Sequence, residues 1–274
     1  MIRLSLRVAK ALCRTALIVL VPMATVSCAK NKDVLVTEIG VSSPARSPSK
    51  PTKAKDFYIQ GQQNHIKGNQ QGAISSYTKA ITLNPNFAAA YNSRGLVRFD
   101  MGDKQKAIDD YSEALRLNAN DPIAYNNRGD ARAAQGDKNG AIDDYDQAIS
   151  LAPNFAQAYN NKGNAHAAQG DRNAAIDDYT QAIRLNPKYA VAYNNRGNAR
   201  AAQGDLPGAI EDYNQAIRLN SNFAAAYNNR GNAYAAQGDK QKAGTDLQQA
   251  ANMFQKQNNQ QLYEQVIDNL KEIQ

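Results

Sequence analysis

Adjacent carboxylates recur along this chain at Asp109/Asp110, Asp143/Asp144, Asp177/Asp178 and Glu211/Asp212. Two carboxyl groups close together are what general acid–base chemistry uses, and they are also the beginning of a divalent-cation site. Neighbouring residues of a helix point in different directions, however, so such a pair does not converge on one reacting atom. Each pair falls early in a helix-compatible segment, where negative charge meets the positive end of the helix dipole. The expectation is a solvated, dipole-stabilising face. His65 and His166 occupy non-equivalent places on predicted helices, which suits packing or surface roles better than ligation. Cys13 and Cys28 are the only cysteines, so the chain from residue 54 onward offers no thiolate nucleophile, disulfide or cysteine-based metal site. It also carries no Ser-His-Asp set, metal-ligand spacing or phosphate loop. These residues point to no enzyme, no cofactor and no metal.

The spacing of the carboxylates says more than their chemistry. They recur every 34 residues, and so do the glycines Gly61, Gly95, Gly129, Gly163, Gly197 and Gly231. A second glycine series runs through Gly68, Gly102, Gly136, Gly170, Gly204 and Gly238. Ala141, Ala175 and Ala209 keep the same step, as do Ala148, Ala182 and Ala216 and the aromatics Tyr125, Tyr159 and Tyr193. A period of this length describes a stack of like supersecondary units, each of which buries its apolar face only against its neighbours.

Within Pro122–Phe155, the stretch Ala124–Gln135 is helix-compatible and Gly136-Asp137 ends it, glycine tolerating the left-handed position after a helix. A second helix is predicted from about Asn139 to Leu151, and Pro153 stops it. Gly129 opposite Ala141 and Ala148 would let the two backbones approach, with Tyr125 and Tyr145 filling the remaining volume. Glycine inside a helix costs ~1 kcal/mol relative to alanine, so its recurrence signals a packing need.

The formal charge of +7 suggests a polyanion partner, but its distribution does not. Residues 1–53 carry nine Lys/Arg against two Asp/Glu, whereas residues 54–274 carry 23 of each. A body with no net field, and no basic residues interleaved with stacking aromatics, is not built to hold nucleic acid. The basic residues near the start read differently. Arg3, Arg7, Lys10 and Arg14 precede an apolar run, Thr15–Ser27, interrupted only by Pro22. That run is shorter than the ~20 residues of a comfortable membrane span, which favours an export signal over residues 1–27. Ala24-Thr25-Val26-Ser27-Cys28 resembles a bacterial lipobox, although Thr25 stands where leucine is usual. That resemblance implies lipidation at Cys28; cleavage after Ala29 with secretion, or an uncleaved anchor, remain open. Residues 28–53, with Pro44, Pro48, Pro51 and several serines, read as a disordered linker.

The order aromatic, Gly, Gly-Asp, Ala, Tyr, Ala, Pro within each period resembles the tetratricopeptide repeat, although Ala119 and Ser221 replace the final Pro in two units. The resemblance implies an all-α, right-handed superhelical solenoid of six helix pairs plus a C-terminal capping helix. The units would be residues 54–87, 88–121, 122–155, 156–189, 190–223 and 224–257. Residues 258–274 would form the cap, with Leu262, Val266, Ile267, Leu270 and Ile273 on one face. Where the family usually has Leu before the first glycine, this chain has Arg94, Arg128, Lys162, Arg196 and Arg230. Their stems are expected to cover the helix pair while their heads reach water or an Asp of the second helix.

In this family the first helix of each unit lines a concave face along which partners lie. The resemblance places Asn126, Asn127 and Asp130, Asn160, Asn161 and Asn164, Asn194, Asn195 and Asn198, and Asn228, Asn229 and Asn232 on that face. Ala133/Ala134, Ala167/Ala168, Ala201/Ala202 and Ala235/Ala236 would form a smooth floor one turn on. A carboxamide offers donors and an acceptor, so it can hold a peptide backbone whatever its side chains. Asn127, Asn161, Asn195 and Asn229 look similar to the asparagine ladder of O-linked N-acetylglucosamine transferases. Recent duplication of a unit would leave the same ladder with no binding role. The Lys/Arg set with which chaperone-binding members clamp a C-terminal carboxylate is represented only by Lys55. The expected function is a non-enzymatic protein–protein interaction scaffold in the cell envelope, binding a partner protein or extended peptide along the Asn-lined concave face. An assembly factor for a membrane complex is one alternative. A substrate-recognition accessory of an envelope enzyme is another.

Overall fold

The structure is a computed structural model that describes residues 52–273. The expected signal segment, the linker up to residue 51 and Cys28 lie outside the described residues. Thirteen helices follow one another, and there is no strand among the described residues. They are α1 (Ala54–Ile66), α2 (Gln70–Leu83), α3 (Ala88–Asp100), α4 (Lys104–Leu117), α5 (Pro122–Gln135), α6 (Lys138–Leu151) and α7 (Ala156–Gln169). Then come α8 (Arg172–Leu185), α9 (Ala190–Ala202), α10 (Leu206–Leu219), α11 (Ala224–Gln237), α12 (Lys240–Lys256) and α13 (Gln260–Ile273). These are six consecutive pairs and a final single helix, the expected all-α arrangement.

The chain divides into two compact units, one running to Asn154 and the other from Phe155. The described part of the first holds α1–α6 and the second holds α7–α13. Inside each unit a helix packs on the one before it and the one after it. Successive first helices also touch (α1 with α3 and α3 with α5, α7 with α9 and α9 with α11), so the first helices of a unit share one face.

The turn inside each pair explains the Gly-Asp dipeptide. Gly136 and Gly170 adopt φ of 94° and 90°, a left-handed conformation that costs glycine nothing and other residues dearly. The next residue caps the following helix: the Asp137 carboxylate accepts from the Gly140 amide at 2.9 Å, and Asp103, Asp171, Asp205 and Asp239 cap α4, α8, α10 and α12 alike. Each such cap contributes about 1 kcal/mol. Sequence reading assigned this aspartate to the stop of the first helix, whereas its larger service is to start the second.

The pair itself is built on small residues. Ala141, Ala148, Ala175 and Ala182 are fully buried on the second helices, with Tyr145 and Tyr179 between them. The recurring glycine of the first helix faces the tyrosine ring. A Cβ on Gly129 would stand 2.6 Å from Tyr145 Cε1, and one on Gly163 would stand 2.7 Å from Tyr179 Cε1. The glycine thus makes room for the aromatic ring more than for the alanines opposite. In the last pair Leu247 replaces tyrosine and still approaches Gly231. The capping helix then buries Val266 and Leu270 against Leu247, Ala250, Ala251 and Phe254, with Leu262, Ile267 and Ile273 packed alongside.

Two glycines separate packing from propensity. Gly163→Ala gains ~1 kcal/mol of helix propensity but overpacks the ring for a penalty of about 1–3 kcal/mol, so a lower thermal midpoint is expected. Gly244, inside α12, has nothing nearer than Ile273 Cδ1 at 4.0 Å, so Gly244→Ala should raise the midpoint by the propensity gain of ~0.5–1 kcal/mol. Circular-dichroism melting of the two variants checks both signs.

Candidate functional site

The basic residue before each glycine reaches back to its own second helix. Arg94 Nε and Nη2 donate to Asp110 at 3.0 and 2.7 Å, and Arg98, one turn on, adds Nη1 at 2.8 Å. Arg128 and Arg132 grip Asp144 in the same way, as do Arg196 and Arg200 with Asp212. The upper guanidinium also lies over a tyrosine of its own helix, 5.5 Å from the Tyr91 ring centre and 5.6 Å from that of Tyr125. It then donates across to the preceding second helix, Arg94 to Thr78 and Arg196 to Thr180. One side chain therefore ties three helices together. The expectation that these heads meet an Asp is met for Asp110, Asp144, Asp212 and, through Arg230, Asp246.

The expectation of a solvated carboxylate face needs correction. Asp109, Asp143, Asp177 and Glu211 are exposed, but Asp110, Asp144, Asp178 and Asp212 are buried. A carboxylate at 2 % exposure, as at Asp144, persists only with paired charge and satisfied lone pairs, which the two arginines supply. The second arm, Arg98, Arg132 and Arg200, was not singled out from sequence; its signal is the i, i+4 spacing to the first arm. Three units vary the set. In residues 224–257 Tyr234 stands where the second arginine does elsewhere, and Arg230 holds Asp246. In residues 156–189 Lys162 and His166 replace the arginines, with His166 Nδ1 2.7 Å from Asp178. In the first unit all charge is gone: Ser76 donates to Gln60 and accepts from Asn64, both at 3.3 Å.

The asparagines form a second network. Asn195 Nδ2 donates to Asn160 Oδ1 and Asn164 Oδ1, both at 3.1 Å, and Asn229 Nδ2 donates to Asn194 Oδ1 at 3.0 Å. Earlier in the chain Asn127 donates to Asn92 at 3.2 Å. Asn164 and Asn198 also accept from the hydroxyls of Tyr179 and Tyr213 at 2.8 Å, and burial pushes both phenols well above their usual range, which keeps them donors. Of the twelve predicted groove residues, Asn126, Asn160, Asn161, Asn194, Asn195 and Asn229 are buried. Asn127, Asp130, Asn164, Asn198, Asn228 and Asn232 are half-buried. The ladder thus links one first helix to the next, and its buried members are not presented to a ligand. The physical reason is that adjacent first helices lie close enough for carboxamides to bond each other. Ala168, Ala202 and Ala236 are exposed on the same helices.

Asp130 is the odd member, standing where Asn164, Asn198 and Asn232 stand. It accepts from Tyr145 at 2.8 Å and from Asn126 at 3.4 Å. Burial nevertheless pushes its carboxyl up to about 7, the two hydrogen bonds only partly opposing it. The folded chain then holds this proton more tightly than the unfolded chain, so stability falls as pH rises from about 4 through about 7. Among the described residues no three His, Cys, Asp or Glu side chains gather as a metal set, and no helix is long and apolar enough to cross a membrane.

Two stability tests follow from these networks. Asp130→Asn should raise the midpoint more at pH 8 than at pH 4.5, flattening the pH profile. Asp144→Ala leaves two guanidiniums without their carboxylate and should cost about 3 kcal/mol. Importing the neutral set of the first unit (Asp144→Ser with Arg128→Gln and Arg132→Asn) should recover much of that loss in denaturant unfolding.

Comparison with known proteins places this geometry. The TPR repeat description matches at residues 61–102, 95–136, 129–170 and 197–238, and the tetratricopeptide repeat at 156–189, 178–211 and 224–257. No curated protein matches the chain. Among solved structures it is similar to MamA, at 27% identity over 59% of this chain and 94% of that one, with a TM-score of 0.55. It shares its fold with PilW, a type IV pilus biogenesis factor, at 16% identity over 78% and 98% of the two chains with a TM-score of 0.71. It also shares it with YrrB, a TPR protein with an unusual peptide-binding site, at 21% identity over 70% and 97% with a TM-score of 0.53. With six matched helix pairs and the repeat motif running through nearly all of residues 61–257, this chain belongs to the tetratricopeptide repeat family.

Proposed function

We propose that this chain is a non-enzymatic scaffold of the cell envelope that binds an extended segment of a partner protein along the first-helix face. The observation that carries this reading is what the two internal networks leave over. The arginines are committed to aspartates and the buried asparagines to each other, so the accessible surface of the later first helices is alanine beside half-buried carboxamides. A shallow floor of methyl groups flanked by amides fits a peptide backbone and makes few demands on its side chains. Asn228 adds a local cue, because its Oδ1 is buried and has no hydrogen-bond partner among the described residues. Such an acceptor suits a donor arriving from a bound segment. The fold shared with YrrB, whose description includes a peptide-binding site, and with the pilus biogenesis factor PilW supports a binding role of this kind. An assembly factor for a membrane complex would use the same face and differ only in its partner.

Export and lipidation at Cys28 complete the proposal, resting on the basic start, the apolar run and the small residue before the cysteine. A Cys28→Ser chain should move from the membrane to the soluble fraction; unchanged retention would count against the anchor.

The groove is tested without touching either network. Ala168→Arg, Ala202→Arg and Ala236→Arg together fill the floor with long side chains while keeping good helix formers. Affinity capture from solubilised envelope should lose its partner with this variant at an unchanged melting midpoint. Capture that persists would remove the groove from the interaction.

A further inference from the structure

The clamps differ in how many basic side chains each aspartate gathers. Asp110 takes Arg94 and Arg98, Asp144 takes Arg128 and Arg132, and Asp212 takes Arg196 and Arg200. Asp178 has Lys162 and His166. Among the described residues Asp246 takes Arg230 alone, through Nε at 2.6 Å and Nη2 at 2.7 Å. The place held by Arg98, Arg132, His166 and Arg200 is Tyr234 here, which brings no charge. The Asp246 side chain is only 7 % exposed. A carboxylate so enclosed gains strongly from each charged donor that reaches it.

Space accompanies the change of residue. A cleft of about 420 Å³ opens between α11 and α12, lined by Arg230, Tyr234, Gln241, Lys242, Thr245 and Asp246. That size suits an inserted side chain or a small ligand. Both cations of the cleft are already engaged: Arg230 Nη1 donates to Asn214 at 2.6 Å, and Lys242 pairs with Asp239 at 2.7 Å. An anion would therefore meet neutralised cations, the Asp246 carboxylate and an aromatic ring. A cation would meet the carboxylate and a ring that already has Arg230 Cζ at 6.0 Å and Lys242 Nζ at 5.3 Å from its centre. The same chain shows that this corner tolerates a further cation. In residues 88–121 Lys106 and Asp103 take the places of Lys242 and Asp239 and pair at 2.6 Å, and Arg98 still seats Nη1 on Asp110 at 2.8 Å. That unit holds three cations against two carboxylates, whereas residues 224–257 hold two against two.

We propose that the cleft between α11 and α12 receives an arginine side chain of a partner protein, whose guanidinium settles on Asp246 beside the Tyr234 ring. The partner then supplies the second arm that the other clamps find within the chain. A planar guanidinium fits this place better than an ammonium, because its several N–H donors can share Asp246 with Gln241 and Thr245. The site is made of other residues than the alanine floor, so it does not depend on the groove reading.

NMR titration of the full chain with an acetylated and amidated Gly-Arg-Gly peptide tests the site. Saturable shifts of the Tyr234 ring resonances are expected. The same peptide with citrulline in place of arginine keeps the shape and loses the charge, and should bind at least ~tenfold more weakly. Tyr234→Arg gives the chain a second arm of its own, so it should also weaken peptide binding at least ~tenfold while its melting curve stays cooperative. N-acetylarginine amide separates an arginine presented by a protein from a free guanidine: the tripeptide should bind more tightly. Equal binding of the citrulline peptide, unchanged binding to folded Tyr234→Arg, or shifts confined to other clamps would overturn the proposal. Binding of the single amino acid as tight as that of the tripeptide would remove the partner protein from it.

Discussion

A glycine facing an aromatic ring sets the distance between the two helices of each pair, and the rest of the architecture follows from that distance. Any side chain at Gly129 or Gly163 would enter the ring of Tyr145 or Tyr179. With the rings seated, alanines such as Ala141 and Ala148 pack with no exposed surface. The core is therefore thin, made of methyl groups and rings, and each pair exposes apolar flanks that only its neighbours cover. This is the condition under which a repeat array is stable as an array and not as single units.

So close a spacing also brings polar side chains into enclosed positions, where each must find a partner. The arginine–aspartate clamps and the asparagine ladder meet that demand. Clamps join a first helix to its own second helix and to the one before it, while the ladder joins one first helix to the next. The first unit shows that charge is not essential to the position, since Gln60, Asn64 and Ser76 satisfy one another without it. The last unit drops one charge only, Tyr234 standing in place of the second arginine while Arg230 still pairs with Asp246. Asp130 breaks the pattern by placing a lone ionisable group where the ladder is otherwise neutral, and its raised carboxyl records the cost.

Polar residues used internally are withdrawn from recognition. That shifts the binding surface from the conspicuous asparagines to the plain alanines beside them. It also leaves the first helices chemically distinct from one another: α1 exposes Ile59 and Ile66, whereas α9 and α11 expose alanine beside half-buried amides. A uniform repeat can thus present different surfaces through a few substitutions at exposed places, leaving the buried grammar untouched.

The sequence by itself determined the helix pairs, their boundaries to within two residues at Pro122–Gln135 and Lys138–Leu151, and the apolar face of α13. Periodicity, glycine and proline are local signals, and they act over one or two turns. Partnership of the polar residues was decided only by tertiary structure. Asp143 and Asp144 are adjacent in the chain, yet one faces water and the other is enclosed by Arg128 and Arg132. Sequence places Asn161 and Asn164 on the same face of one helix, yet the first is buried and the second keeps an accessible edge. Burial and hydrogen bonding depend on what a neighbouring helix brings across a few ångströms, and residues 16 or 35 apart in sequence meet there only after the helices have packed.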